Sequence, residues 1–140
     1  MLSMLAAVEA DVWVATASVD QAVASPYLVP LSLAWVEDRI VVALSGTSRT
    51  ARNLTDHGVA RLAVGLTRDV VMIDAKLDRS VLVGDDDGLV ERYAAQAGWD
   101  PRTAGEGYLL LVLRPVRIQA WREENELAGR TLMRAGRWLS

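Results

Sequence analysis

Residues Arg39 to Leu54, RIVVALSGTSRTARNL, decide how this chain is to be read. The first half is a short apolar run rich in Val and Ile, the composition of a buried strand. Ser45-Gly46-Thr47 then reads as a turn, and Ser48-Arg49-Thr50-Ala51-Arg52-Asn53-Leu54 as the polar opening of a helix. A helix start leaves backbone N–H groups without intrahelical partners and carries partial positive charge, so it attracts anions. Two hydroxyls, Thr47 and Ser48, and two guanidiniums, Arg49 and Arg52, stand at that end. Arg makes planar, charge-assisted hydrogen bonds to phosphate oxygens. The stretch is therefore a phosphate seat at a strand–turn–helix corner, or else a capped surface helix with two solvated arginines. Spacing alone leaves both open.

The remainder of the chain limits the function classes. Its 140 residues fit one domain, spanning residues 1–140, and 51% hydrophobic content with 24% charged residues supports a packed core. A net charge of −3 gives no overall pull towards nucleic acid. Without cysteine there are no disulfides, thiolate nucleophiles or zinc–thiolate centres. His57 is the sole histidine, at an expected helix end, so neither a hydrolytic constellation nor a transition-metal site is expected. Asp85-Asp86-Asp87 lacks the alternating ligands and distant Glu of a calcium loop and reads as the capping acids of a helix. The start lacks a positive n-region, and the longest uncharged run, Gln21 to Val36, is short for a bilayer and holds Pro26 and Pro30. The expectation is a cytoplasmic protein with no membrane partner.

Along the chain, the pattern predicts a short helix near Leu2–Glu9 and a strand over Val12–Ser18. A loop longer than the tightest hairpin turns follows over Val19–Ser25, then a proline-bearing strand over Pro26–Val36. Proline cannot donate to a ladder, so that strand is expected at an edge, at a bulge or facing a ligand. Gly58 should end the helix after Leu54, and strands should follow over Val59–Val64 and Asp69–Val83. Leu89, Tyr93 and Ala97 share a helical face. Tyr108–Val112 and Val116–Arg122 form an extended run interrupted at Pro115, and Ala135-Gly136 is a hairpin turn. About seven or eight strands, two short helices and one longer one predict a mainly β protein, a small β-barrel with a few helices outside.

This order, with three segments, resembles the pyridoxamine 5'-phosphate oxidase-like superfamily, the FMN-binding split β-barrels with deazaflavin (F-420) branches. The segments are Tyr27-Leu28-Val29-Pro30-Leu31-Ser32, Ser48-Arg49-Thr50, and Arg117-Ile118-Gln119-Ala120-Trp121 followed by Leu127-Ala128-Gly129-Arg130. The resemblance implies that the first runs along a flavin ring and offers it backbone groups, and that the second meets the phosphate. It also implies that Trp121 and Arg130 reach the cofactor from the other subunit of a homodimer. Tyr27 and Asp69 are further candidates to line the site. Thr50 stands where the family has a phosphate-binding lysine, with Arg52 one turn on as a substitute. Glu126 and Ala128 stand where the oxidases hold substrate with Arg and His, which argues against pyridoxamine phosphate as substrate. The expected function is that of an FMN- or F-420-dependent oxidoreductase acting on another small organic molecule. The alternative is a non-catalytic split barrel that binds or sequesters a cofactor or small ligand. No catalytic side chain is assigned, because a flavin carries the redox chemistry itself.

Overall fold

The computed structural model describes residues 2–122 and 129–139, and of Trp121 only the backbone. After a single helical turn, α1 (Leu2–Leu5), come β1 (Asp11–Asp20), β2 (Val23–Ser32), β3 (Ala34–Val36) and β4 (Arg39–Ser45). Helix α2 (Arg49–His57) leads into β5 (Val59–Leu66) and β6 (Asp69–Leu82), and α3 (Asp87–Ala97) into β7 (Tyr108–Trp121). A last hairpin joins β8 (Thr131–Arg134) to β9 (Arg137–Trp138). All pairings are antiparallel, in the order β2-β1-β5-β6-β7-β4-β3, with β8 on β7 and β9 on β8.

The two ends of that path, β2 and β3, are neighbours in the chain, separated only by the fully buried Leu33. A sheet whose first and last strands are joined by one residue must curl on itself, and that closes the barrel. Ile40, Val42, Leu44, Leu111 and Leu113 point into the barrel core with Val12, Val14, Leu62 and Ile73. The alternate residues Val41, Ala43, Leu110 and Val112 pack outward against Leu89, Val90, Tyr93 and Ala97 of α3. Strand β4 and the start of β7 are thus buried on both faces, which is why they read as unbroken apolar runs.

Four expectations change. Residues 19–25 hold no loop: β1 and β2 are joined by the two-residue turn Gln21-Ala22, both at positive φ (49° and 64°). Neither residue is Gly or Asn, so the turn carries no sequence signal. Pro26 to Val36 is two strands, because the chain swings from one end of the sheet to the other at Leu33. Pro115 does not interrupt β7: it pairs with Ala75 beside a bulge at Val116, the kind of irregularity at which a sheet tolerates proline. Splitting one expected strand in two brings the described total to nine, and α1 spans four residues only.

Gly58 (φ 72°) and Gly98 (φ 83°) end α2 and α3 in the left-handed conformation. Gln96 ties the N-terminal segment to the barrel, a role its sequence context does not signal. Its Nε2 donates to the Leu5 carbonyl (2.6 Å), and its Oε1 accepts from the Trp35 N–H (2.7 Å).

Candidate functional site

The corner between β4 and α2 is held by backbone hydrogen bonds, one local and one to the residue just before the distant β7. The Ser48 N–H donates to the Ser45 carbonyl (3.1 Å), and the Gly46 N–H donates to the Gly107 carbonyl (2.9 Å). A Cβ on Gly46 would lie 3.1 Å from that carbonyl oxygen and 3.2 Å from the Leu109 side chain, so close approach selects glycine here. Thr47 is exposed, its Oγ1 3.0 Å from Ser45 Oγ. Ser48 is the N-cap of α2: its Oγ accepts from the Ala51 N–H (3.2 Å), and its carbonyl accepts from the Arg52 N–H (3.0 Å). The N–H groups of Arg49 and Thr50 precede the first intrahelical bond and have no intrahelical acceptor.

Arg49 is exposed, and its guanidinium lies over the half-buried Tyr27 ring, 5.1 Å from the centroid. Arg52 is exposed one turn on. Among the described residues neither makes an ion pair, whereas Arg39, Arg61, Arg79, Arg92, Arg102 and Arg122 each meet a carboxylate. Thr50 is 2% exposed, so only its backbone N–H is available to a ligand. The buried Asn53 donates to Thr16 Oγ1 (3.1 Å) and docks α2 onto β1.

Beside Arg49 runs β2, the first strand of the sheet path. The Leu33 N–H donates to the Ala10 carbonyl, which sets the parity of the ladder. Odd-numbered residues of β2 exchange hydrogen bonds with β1, and even-numbered ones turn their backbone groups to the open edge. Both prolines, 26 and 30, fall on even positions, where no ladder donor is lost. The open edge beside the Arg49–Tyr27 pair therefore offers the Leu28 N–H and the carbonyls of Pro26, Leu28 and Pro30. The Ser32 carbonyl, of the same parity, accepts from Tyr93 Oη (3.2 Å). Leu28 and Pro30 are exposed, while Val29 and Leu31 pack against the core.

The C-terminal candidates lie elsewhere. The Arg130 carbonyl accepts from the Ala120 N–H (2.8 Å). The Gln119 amide oxygen, oriented by its neighbours, accepts from Arg130 Nε (3.1 Å) and Arg117 Nη2 (3.2 Å). Gln119 alternates with Ile118 and Ala120, which pack inward, so this cluster is on the outer face of the sheet. Tyr27 alternates with Val29 and Leu31 and is on the inner face. One protomer does not bring the two groups together. Asp69 is half-buried with Arg122 Nε 3.6 Å from its Oδ1. Glu126 and Ala128, like the Trp121 side chain, lie outside the described residues.

Among the described residues four protonation equilibria are displaced, two of them within the Asp100–Arg102 ion pair, whose hydrogen bonds lower Asp100 and raise Arg102. Burial pushes the Tyr93 phenol up to about 12, against weaker opposing hydrogen bonds. The hydrogen bond to Asp74, and its charge, raise Arg61 above its ordinary value.

No family model matches this sequence, and no curated protein does. Solved structures do match in shape. An F-420 reductase superposes with a TM-score of 0.66 at 12% identity, over 83% of this chain and 94% of its own. An FMN-binding protein from Syntrophomonas wolfei subsp. wolfei gives 0.61 at 18%, over 84% of this chain and 81% of its own. A pyridoxamine 5'-phosphate oxidase-related, FMN-binding protein from Nostoc punctiforme gives 0.56 at 19%, over 79% and 72%. At such identities the likeness speaks for architecture, and the architecture is plain: the chain has the split β-barrel fold of pyridoxamine-phosphate-oxidase-like proteins.

Proposed function

We propose that this protein binds a flavin-type cofactor, FMN or the deazaflavin F-420, as a homodimer. Its proposed activity is that of an oxidoreductase on a small organic substrate other than pyridoxamine phosphate. The observation that carries the reading is the α2 corner: a capped helix N-terminus, with an exposed Arg49 that no carboxylate neutralises among the described residues, beside the open backbone edge of β2. The donor set fits the group. Thr47, Ser48, Arg49 and the first α2 amides would hold a phosphate, and Arg52 would add charge. The Leu28 N–H and the neighbouring carbonyls match a ring edge that alternates donors and acceptors. A cofactor held there supplies hydride transfer, and the protein supplies its position and electrostatics. The names of the matching structures, which include an F-420 reductase and FMN-binding proteins, support the same cofactor class. Arg130 and Tyr27 are on opposite sheet faces of one protomer, which supports a homodimer whose second copy brings Trp121 and Arg130 to that corner.

A second reading rests on Thr50. A neutral threonine where the family has a lysine leaves the seat one charged donor short, and its burial withdraws the hydroxyl too, which favours a barrel that binds a ligand without turning it over. The visible spectrum of the purified protein, then calorimetric titration with FMN and with F-420, tests the main proposal, and light scattering tests the dimer. Tight binding of one cofactor by a dimer, with no turnover of pyridoxamine phosphate, is the expected result. If neither cofactor binds, the proposal fails.

A further inference from the structure

A cavity opens where β1 and β5 part, and Ser48, Arg49 and Tyr27 do not line it. Strand β1 pairs with β5 only from Trp13 to Ala15, opposite Arg61 to Ala63, although β1 continues to Asp20 and β5 begins at Val59. Beyond Ala15 the β1–β2 hairpin pairs only with itself, and the two strands diverge. The gap is an open cavity of about 360 Å³ walled by Ala17, Val59, Ala60, Ala75 and Val116, with Thr16, whose hydroxyl accepts from Asn53 of α2, also in its lining. Small-molecule clefts begin at about 300 Å³.

Its charged residues are Arg61, Asp74 and Lys76. Arg61 grips Asp74 at two points, Nε to Oδ1 at 2.6 Å and Nη2 to Oδ2 at 3.2 Å, so those two charges cancel each other. Lys76, the only lysine of the chain, is exposed and has no carboxylate partner among the described residues. The cavity therefore has apolar walls and one uncompensated positive charge. The cleft between α3 and the β3–β4 turn differs: Arg39, Arg79 and Arg92 there are matched by Asp78, Asp86 and Glu37.

We infer that the gap between β1 and β5 is a binding site for a small apolar carboxylate, its chain or ring against the alanines and valines and its carboxylate on Lys76. An amine of the same shape meets an unmatched ammonium, and an alcohol loses the charge-assisted bond. The inference does not rest on the cofactor reading, because Ser48, Arg49 and Tyr27 do not line the cavity.

The test compares hexanoate, hexylamine and hexanol by calorimetry, alongside acylation of Lys76 followed by mass spectrometry. A single lysine makes that label specific once the terminal amine is counted separately. Hexanoate should bind about tenfold more tightly than hexanol, should exceed hexylamine by more, and should slow acylation of Lys76. Lys76→Met should bring hexanoate down to the level of hexanol. Ala17→Leu, which fills the cavity from its rim, should remove binding of both, and Arg49→Ala should leave it unchanged. Equal affinity for acid and amine overturns the inference, as does hexanoate binding that survives both Lys76→Met and Ala17→Leu, or that disappears with Arg49→Ala.

Discussion

Helices α2 and α3 are built alike and end in opposite electrostatics. Each is capped at its start by a short polar side chain, Ser48 accepting from the Ala51 N–H and Asp86 from the Leu89 N–H. Each ends on a left-handed glycine, and each buries one face against the barrel. Helix α3 neutralises its own positive pole with Asp86 and Asp87. Helix α2 has no acid in its first turn and adds Arg49 there. A cation at a helix N-terminus is unfavourable by a few tenths to about 1 kcal/mol. Stacking on Tyr27 offsets part of that cost, and an anion bound at the corner, as proposed above, would offset the rest. On the proposed reading, the difference separates a helix that buttresses the barrel from one that presents a site.

The strongest way to break this contrast is to truncate the α3 side. Tyr93 is fully buried and packs edge-on to Trp99, with ring centroids 6.0 Å apart. Tyr93→Ala should destabilise the protein by about 3–5 kcal/mol in urea unfolding, and a loss under 1 kcal/mol would remove α3 from the core. Alkaline pH probes the same residue more gently. The folded phenol titrates at about 12 against 10.0 for an exposed one. Below pH 10 both states hold the proton. As pH rises from 10 to 12, only the unfolded chain releases it, so about 2–3 kcal/mol of stability should be lost across that window. Tyr93→Phe should flatten that part of the stability–pH curve, and an unchanged slope would refute the assignment.

On the α2 side the expected effects appear in binding. Arg49→Ala should weaken binding of the phosphate-bearing cofactor about ten- to a hundred-fold, as loss of one charge-assisted bond requires, with unfolding stability within about 0.5 kcal/mol. Arg61→Ala, whose guanidinium is committed to Asp74, is the control and should leave cofactor affinity unchanged. Equal affinity in Arg49→Ala and the parent protein would move the phosphate elsewhere. The caps sharpen the comparison further. Ser48→Ala and Asp86→Ala should each lower stability by about 1 kcal/mol, but only Ser48→Ala should also weaken anion binding. The smallest effect is that of Asp87→Asn, which should reduce stability by about 0.3–1 kcal/mol, less at high salt, with no change in cofactor affinity.

Local chemistry decided a good deal in advance. The apolar run from Ile40 to Leu44, the Ser48 cap, the Gly58 stop and the Asp86 cap depend on residues within one or two turns of each other, and sequence order shows them directly. The mainly β composition and its barrel closure were legible in the same way, from strand count and spacing. What sequence could not express is which strands lie side by side. The Gln21-Ala22 turn has no glycine or asparagine to mark it, and Pro115 is tolerated because a bulge at Val116 meets it. The turn at Leu33, which makes β2 and β3 the two ends of one sheet, follows from closure of the whole barrel. The stacking of Arg49 on Tyr27, the separation of Arg130 from both, and the cavity between β1 and β5 likewise depend on strands far apart in the chain. Residue identity determined which groups could bind an anion; packing of distant strands decided which of them meet, because long-range pairing answers to the shape of the core rather than to any neighbour in sequence.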